Sequence, residues 1–335
     1  MTPPLAAPFP YFGGKRRAAP IIWQALGDPA GYVEPFAGSA AVLLARPGWK
    51  ASGWRRTETL NDADGWLCNV WRALRDKPQE TASHASGPVM EIDYHARLAW
   101  LQERRGPDLI AWLEGDPEAC DAKAAGWWLY VAACAIGDPW GAAGPWHVVD
   151  GRLVKLPHLG DAGRGVRREL PHLGNAGRGV QRELPNLGDA GTRQQDRLLA
   201  SYFDRIADRL AAVRITCGDW ARVLTPSVVR AGTGGDRSRA ILLDPPYATS
   251  GDVYHHAGDG VAEQVRDRCA TADPALRIAL CGYGTEHDEL LQHGWSKVEG
   301  RSASGPGYSK DPLNGRRERI WLSPACIGHE QGTLL

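Results

Sequence analysis

The chain has 335 residues, 43% hydrophobic and 23% charged, proportions that exclude wholesale disorder and suit one large α/β domain or a catalytic domain with an insert. Its 39 basic and 39 acidic side chains cancel, so the whole-chain charge offers no attraction to nucleic acid or an anionic membrane, and any such partner must meet a local patch. Seven widely spaced cysteines without a CxxC pair argue against a zinc knuckle or a disulfide framework and fit a reducing compartment. The longest near-apolar run, 126–137, is too short to span a bilayer. The positive charges near the N-terminus follow the apolar residues, the reverse of a secretory signal. A cytoplasmic protein with no membrane partner is expected.

In chain order, residues 31–45 (GYVEPFAGSAAVLLA) read as a short apolar strand, a tight turn over 35–39 and an Ala/Leu helix. Residues 57–74 repeat the order, with a strand ending at Asn61-Asp62 and a helix carrying Trp66, Leu67, Val70, Trp71 and Leu74 at helical spacing. From 76 to 205 the pattern changes to Trp- and Ala-rich helices and then a Gly/Arg-rich stretch, an insert between two catalytic parts at 1–75 and 206–335. Within it a unit of 14 residues recurs over 156–191 (LPHLGDAGRGVRRE, LPHLGNAGRGVQRE and the partial LPNLGDAG). It is too short and glycine-rich to stack as a solenoid, so a mobile arm is expected. Alternation then returns: a helix over 202–212, a strand over 213–217, a strand over 239–243 ending in Asp244-Pro245-Pro246-Tyr247, a strand over 277–281, and an edge strand over 319–323. The fold class expected is α/β, a mostly parallel sheet covered by helices on both faces, with ligands at the carboxyl ends of its strands.

The most informative residues are Asp244, Pro245, Pro246 and Tyr247, directly after the apolar AILL. Two prolines cannot continue a central ladder, so the chain must turn there and present an acid, a free carbonyl and a ring together. That set suits an exocyclic amine on a planar base: two acceptors for its hydrogens and a face for stacking. The plainer reading is a strand-ending turn that Asp244 caps. The small-residue turn Glu34-Pro35-Phe36-Ala37-Gly38-Ser39-Ala40 lets backbone approach a nucleoside, although it lacks a full GxGxxG. Asp62, at the next strand end, is placed to accept from ribose hydroxyls. Asp219-Trp220 offers an acceptor and a ring for an adenine, or a helix cap followed by a core Trp. Tyr11-Phe12-Gly13-Gly14-Lys15 places a lysine after a Gly-Gly turn, where an isolated Lys is usually solvated.

Together these residues, over about 8–75 and 213–323, resemble the Dam-like DNA adenine-N6 methyltransferases in motif order as well as content: aromatic-x-Gly-Gly-Lys, EPFxG, a strand-end Asp, an insert, then DPPY. Tyr11 stands where Trp is frequent in that family, and FAGSA where a second glycine is common. The resemblance implies a Rossmann-like methyltransferase sheet with a target-recognition insert. It implies that Tyr11, Lys15, Glu34, Phe36, Gly38, Asp62, Asp219, Trp220 and Asp244 surround S-adenosylmethionine, and that Asp244, Pro245, Pro246 and Tyr247 engage a flipped adenine.

The expected function is site-specific methylation of adenine N6 in double-stranded DNA by direct displacement. N4-cytosine or RNA adenine methylation, or a catalytically weak DNA-binding relative, are the alternatives. No metal is expected, since His158 and His172 recur without carboxylate or thiolate partners at ligand spacing. Over 151–200 nine basic residues stand against five acidic, and Arg164, Arg167, Arg168, Arg178 and Arg182 are the candidate phosphate contacts. Trp127, Trp128, Trp140 and Trp146 read as core packing ahead of a duplex wedge. A bacterial or phage setting, a monomer, and either no partner enzyme or a separate restriction endonuclease complete the expectation.

Overall fold

A computed structural model describes residues 5–9, 11, 14–49, 56–104, 106–116, 118–135, 140, 146–149, 152–155, 192–229, 238–246, 260–299 and 318–327, with backbone alone for 107, 146–149, 152–155 and 192–196. The described strands are β1 (Gly31–Glu34), β2 (Thr57–Asp62), β3 (Trp146–Val149), β4 (Arg152–Lys155), β5 (Val213–Cys217), β6 (Arg239–Leu243), β7 (Arg277–Tyr283), β8 (Ser296–Glu299) and β9 (Glu318–Leu322). Seven of them form one sheet in the order β5-β2-β1-β6-β7-β9-β8. The first five in that order run parallel, and β9 is antiparallel to both β7 and β8. The expected α/β fold is the one observed.

The near-continuous apolar strands follow from burial on both faces. Tyr32, Leu60, Ala240, Leu242, Ala279, Cys281 and Ile320 belong to the larger core. Their alternate neighbours Val33, Ile241, Leu243, Ile278, Leu280 and Trp321 belong to a second core on the other face. The larger core also takes in α1 (Ala19–Leu26), α2 (Ala41–Leu44), α3 (Gly65–Asp76), α4 (Pro78–Ala85), α5 (Glu91–Glu103), α7 (Ala122–Cys134) and α8 (Thr192–Leu210). The second is closed by α9 (Pro226–Val229) and α10 (Val261–Ala270). Among the described residues the remaining α-helix, α6 (Pro107–Gly115), contributes Leu113 to a small cluster with Cys68 and Cys217.

A buried ion network ties helix to sheet. Glu58 on β2 accepts from Arg209 of α8 at 2.6 and 2.8 Å and from Arg46 at 3.0 Å. All three side chains are about 1% exposed, so each charge depends on the others for the solvation it has lost. Trp128, 3% exposed, packs edge-on against Phe9 and stacks on Trp140, the core role expected of it. Trp127 is half-buried, edge-on to Trp100 with Lys123 over its ring.

Three expectations are corrected. The C-terminal strand is internal, between β7 and β8. Its fully buried Trp321 and Ile320 reflect that position, whereas the true edge, β8, reads SKVE and carries no apolar run to announce it. The helix expected from 202 begins at Thr192. Where Trp- and Ala-rich helices and a Gly/Arg-rich stretch were expected, β3 and β4 pair antiparallel, Trp146 with Lys155 and Val149 with Arg152; Asp150-Gly151 between two apolar pairs was the signal available for the pairing. The 14-residue repeats and their arginines lie outside the described residues.

Candidate active site

Parallel strands present their last residues along one edge, and there the structure gathers most of the candidate residues. The chain leaves β1 through Pro35 and Phe36 into a turn whose Gly38 has φ +45° and whose Ala40 has φ +47°. Gly38 is required on two counts: its backbone is left-handed, and a Cβ would lie 2.6 Å from the Tyr11 ring. Ala40, a non-glycine residue with positive φ, holds its strained conformation at the N-cap of α2. Tyr11 therefore lies directly against the turn.

Asp62, half-buried at the end of β2, is held by that turn. Its Oδ2 accepts from the Gly38 N–H and its Oδ1 from the Asp64 N–H, both at 2.9 Å. Burial outweighs these donors and raises its pKa to about 6. Beside it, Asn61 does a job that sequence reasoning missed. Its amide donates to the Pro35 and Gly218 carbonyls, each at 3.0 Å, and accepts from the Thr216 hydroxyl at 2.9 Å. The loops after β1 and β5 are thus pinned from the strand between them. Only the pairing of β2 with both neighbours reveals this; Asn61 reads in sequence as an ordinary strand end.

The two loops bring Phe36 and Trp220 together, half-buried and stacked with centroids 6.0 Å apart at 26°. Asp219 is exposed and caps the short 3-10 turn Trp220–Leu224, accepting from Ala221 N–H at 2.8 Å, which is the cap of the plainer reading. Glu34 turns away from the edge into the larger core. It is 2% exposed and accepts from the Tyr32 hydroxyl at 2.5 Å. Burial pushes its pKa to about 8.

Lys15 is not solvated. It is 4% exposed, and its Nζ lies 2.8 Å from Asp244 Oδ2 and 2.9 Å from Glu318 Oε1. Asp244 follows β6, 20% exposed, with Pro245 buried behind it. An ammonium at contact distance fixes one of its oxygens. Glu318, on β9, was not among the sequence candidates, because it precedes an ordinary-looking strand some seventy residues after Asp244 in a stretch without motif. Tyr247, Arg164, Arg167, Arg168, Arg178 and Arg182 lie outside the described residues.

A mostly parallel sheet with helices on both faces, whose carboxyl edge carries a nucleoside-type loop, an acid at each of several strand ends and an aromatic pair, is a Rossmann-like methyltransferase fold. Residues 11–91 match the family model described as D12 class N6 adenine-specific DNA methyltransferase. That match, over 11–91 alone, supports a Dam-like adenine methyltransferase family and with it adenine methylation of DNA. No curated protein matches the chain.

Proposed function

We propose that the protein is a site-specific DNA methyltransferase that transfers a methyl group from S-adenosylmethionine to N6 of a flipped adenine in double-stranded DNA. The observation that carries this reading is Asp244, held by Lys15 at the end of β6 on the strand edge that also bears the Phe36 and Trp220 pair. The donor set suits the cofactor: two stacked rings for a purine, and the Asp62 and Asp219 carboxylates as acceptors for hydroxyl and amine groups. S-adenosylmethionine supplies an electrophilic methyl on a sulfonium. Phe36 and Trp220 hold the adenine ring of the cofactor, Asp62 accepts from its ribose, and Asn61 keeps the two loops in register. Glu34, through its place under the β1 turn, supports the loop from within the core.

Adenine N6 is a poor nucleophile because its lone pair is delocalised into the ring. Asp244 and the Pro245 carbonyl accept its two hydrogens and favour a localised pair, and Pro246 and Tyr247 shape and stack against the base. With S-adenosylmethionine bound, its sulfonium would supply the methyl to N6 by direct displacement, and Asp244 would take the surplus N6 proton and pass it to water. Positioning of donor and acceptor in line supplies most of the acceleration. Unstacking the base costs about a few kcal/mol, offset by phosphate contacts from Arg164, Arg167, Arg168, Arg178 and Arg182 in an insert at 76–205 between catalytic parts at 1–75 and 206–335. A cytoplasmic, bacterial or phage-encoded monomer, solitary or with a separate endonuclease, fits this reading.

The test is nucleoside mass spectrometry of methylation-free DNA incubated with S-adenosylmethionine and wild type or Asp244→Ala. N6-methyladenine from wild type alone is expected. Equal product from both would remove Asp244 from the chemistry, and N4-methylcytosine would move the acceptor.

A further inference from the structure

We propose that Glu318 is a positioning residue for the methyl transfer, acting through Lys15 to fix Asp244. Its catalytic consequence rests on the methyltransferase reading; the cluster itself rests on geometry. The topology explains why a residue so distant in sequence reaches the site. An antiparallel strand presents its first residue where its parallel neighbours present their last, and Glu318, first in β9, pairs in register with Tyr283 at the end of β7. Its carboxylate then meets the Lys15 ammonium at 2.9 Å, while Asp244 meets the same ammonium at 2.8 Å.

One carboxylate would have neutralised Lys15. Two converge on it from side chains that are 2% and 20% exposed, with Lys15 itself 4% exposed, so Glu318 and Asp244 are coupled through a shared ammonium. A fixed Asp244 oxygen matters to the proposed reaction, in which the attacking N6 gains positive charge as its bond to carbon forms. Cys281 and Tyr283 on β7 also face this region, and Glu34, turned into the core, lies near enough to influence the thiol. Burial, reinforced by Asp244 for the thiol and by Glu318 for the phenol, pushes both groups up. Glu34 ionises near pH 8, so the Lys15 Nζ titration, and not the alkaline limb alone, reads the coupling to Glu318.

Glu318→Gln keeps an oxygen that accepts from Lys15 and removes only the charge. Its kcat should fall about 10-fold or more with KM values unchanged, the scale on which one positioned electrostatic group acts. The alkaline limb of kcat should move to lower pH, because Lys15 has lost one of the two carboxylates favouring its ammonium. The Lys15 Nζ resonance, titrated by NMR, should shift the same way. Glu318→Asp should recover the alkaline limb and part of kcat, and it replaces the Gln variant if that protein does not fold. Wild-type kcat and an unmoved Lys15 titration in Glu318→Gln would overturn the inference while leaving the proposed function standing. An inactive wild type would instead overturn that function, with the Lys15 titration still deciding the coupling to Glu318.

Discussion

Replacing Asp62 with Asn separates the structural work of this carboxylate from its proposed work on the cofactor. Two backbone N–H groups, from Gly38 and Asp64, converge on it at 2.9 Å each. An amide provides one oxygen for two donors, so one N–H must face the side-chain NH2. A buried donor left unsatisfied costs about 1–3 kcal/mol, and a drop in thermal stability of that size is expected with the fold retained. Ligand affinity should respond differently. A charge-assisted hydrogen bond to a ribose hydroxyl contributes about 1.5–3 kcal/mol, so Asp62→Asn should bind S-adenosylmethionine about 10-fold to 100-fold more weakly. The pH dependence sharpens the test. The folded pKa of Asp62 is raised from 3.8 to about 6, so its contribution to stability falls as pH rises through that window and is level above it. Cofactor affinity should run the other way, rising through about pH 6 as the acceptor ionises. Calorimetric titration across this range, on wild type and variant, measures both. Wild-type affinity in Asp62→Asn, or an identical pH profile, would refute the ribose role and leave Asp62 as a brace for the Gly38 turn.

Three further outcomes are expected. Glu34 has its pKa raised from 4.5 to about 8 by burial, so the protein should lose stability as pH rises through that window; Glu34→Gln should flatten the slope in thermal melts, and an unchanged slope would assign the effect elsewhere. Asn61→Ala removes two donors to loop carbonyls and should lower stability by about 1–3 kcal/mol while weakening S-adenosylmethionine binding, whereas intact binding would show that the loops hold themselves. Deleting the repeat copy at 170–183 removes Arg178 and Arg182 and should reduce the slope of log affinity for DNA against log salt by about 2; an unchanged slope in a filter-binding series would leave those arginines with no phosphate contact.

The central parallel strands and most of the strand-end acids were legible in the sequence because each rests on local information. A continuous run such as AILL marks a strand buried on both faces, and a proline pair after it forces the turn that presents Asp244. Gly38 was legible for a similar reason, since a left-handed turn against an aromatic admits little else. Where the signal is carried by partners instead of neighbours, the sequence was silent. Glu34 sits in the motif, yet its side chain turns into the core beside Tyr32, because alternation along a strand assigns it to the same face as Tyr32. Lys15 taken in isolation reads as a solvated lysine, and only the family resemblance put it at the site; its pairing with Asp244 and Glu318, which removes it from water, is tertiary. Asn61 and Glu318 owe their roles entirely to strand order and direction. β2 lies between β1 and β5, so one amide reaches both loops, and β9 runs against β7, so its first residue arrives at the edge where Asp244 stands. Composition and spacing determine which chemical groups the chain possesses; the pairing of strands distant in sequence decides which of them share a charge.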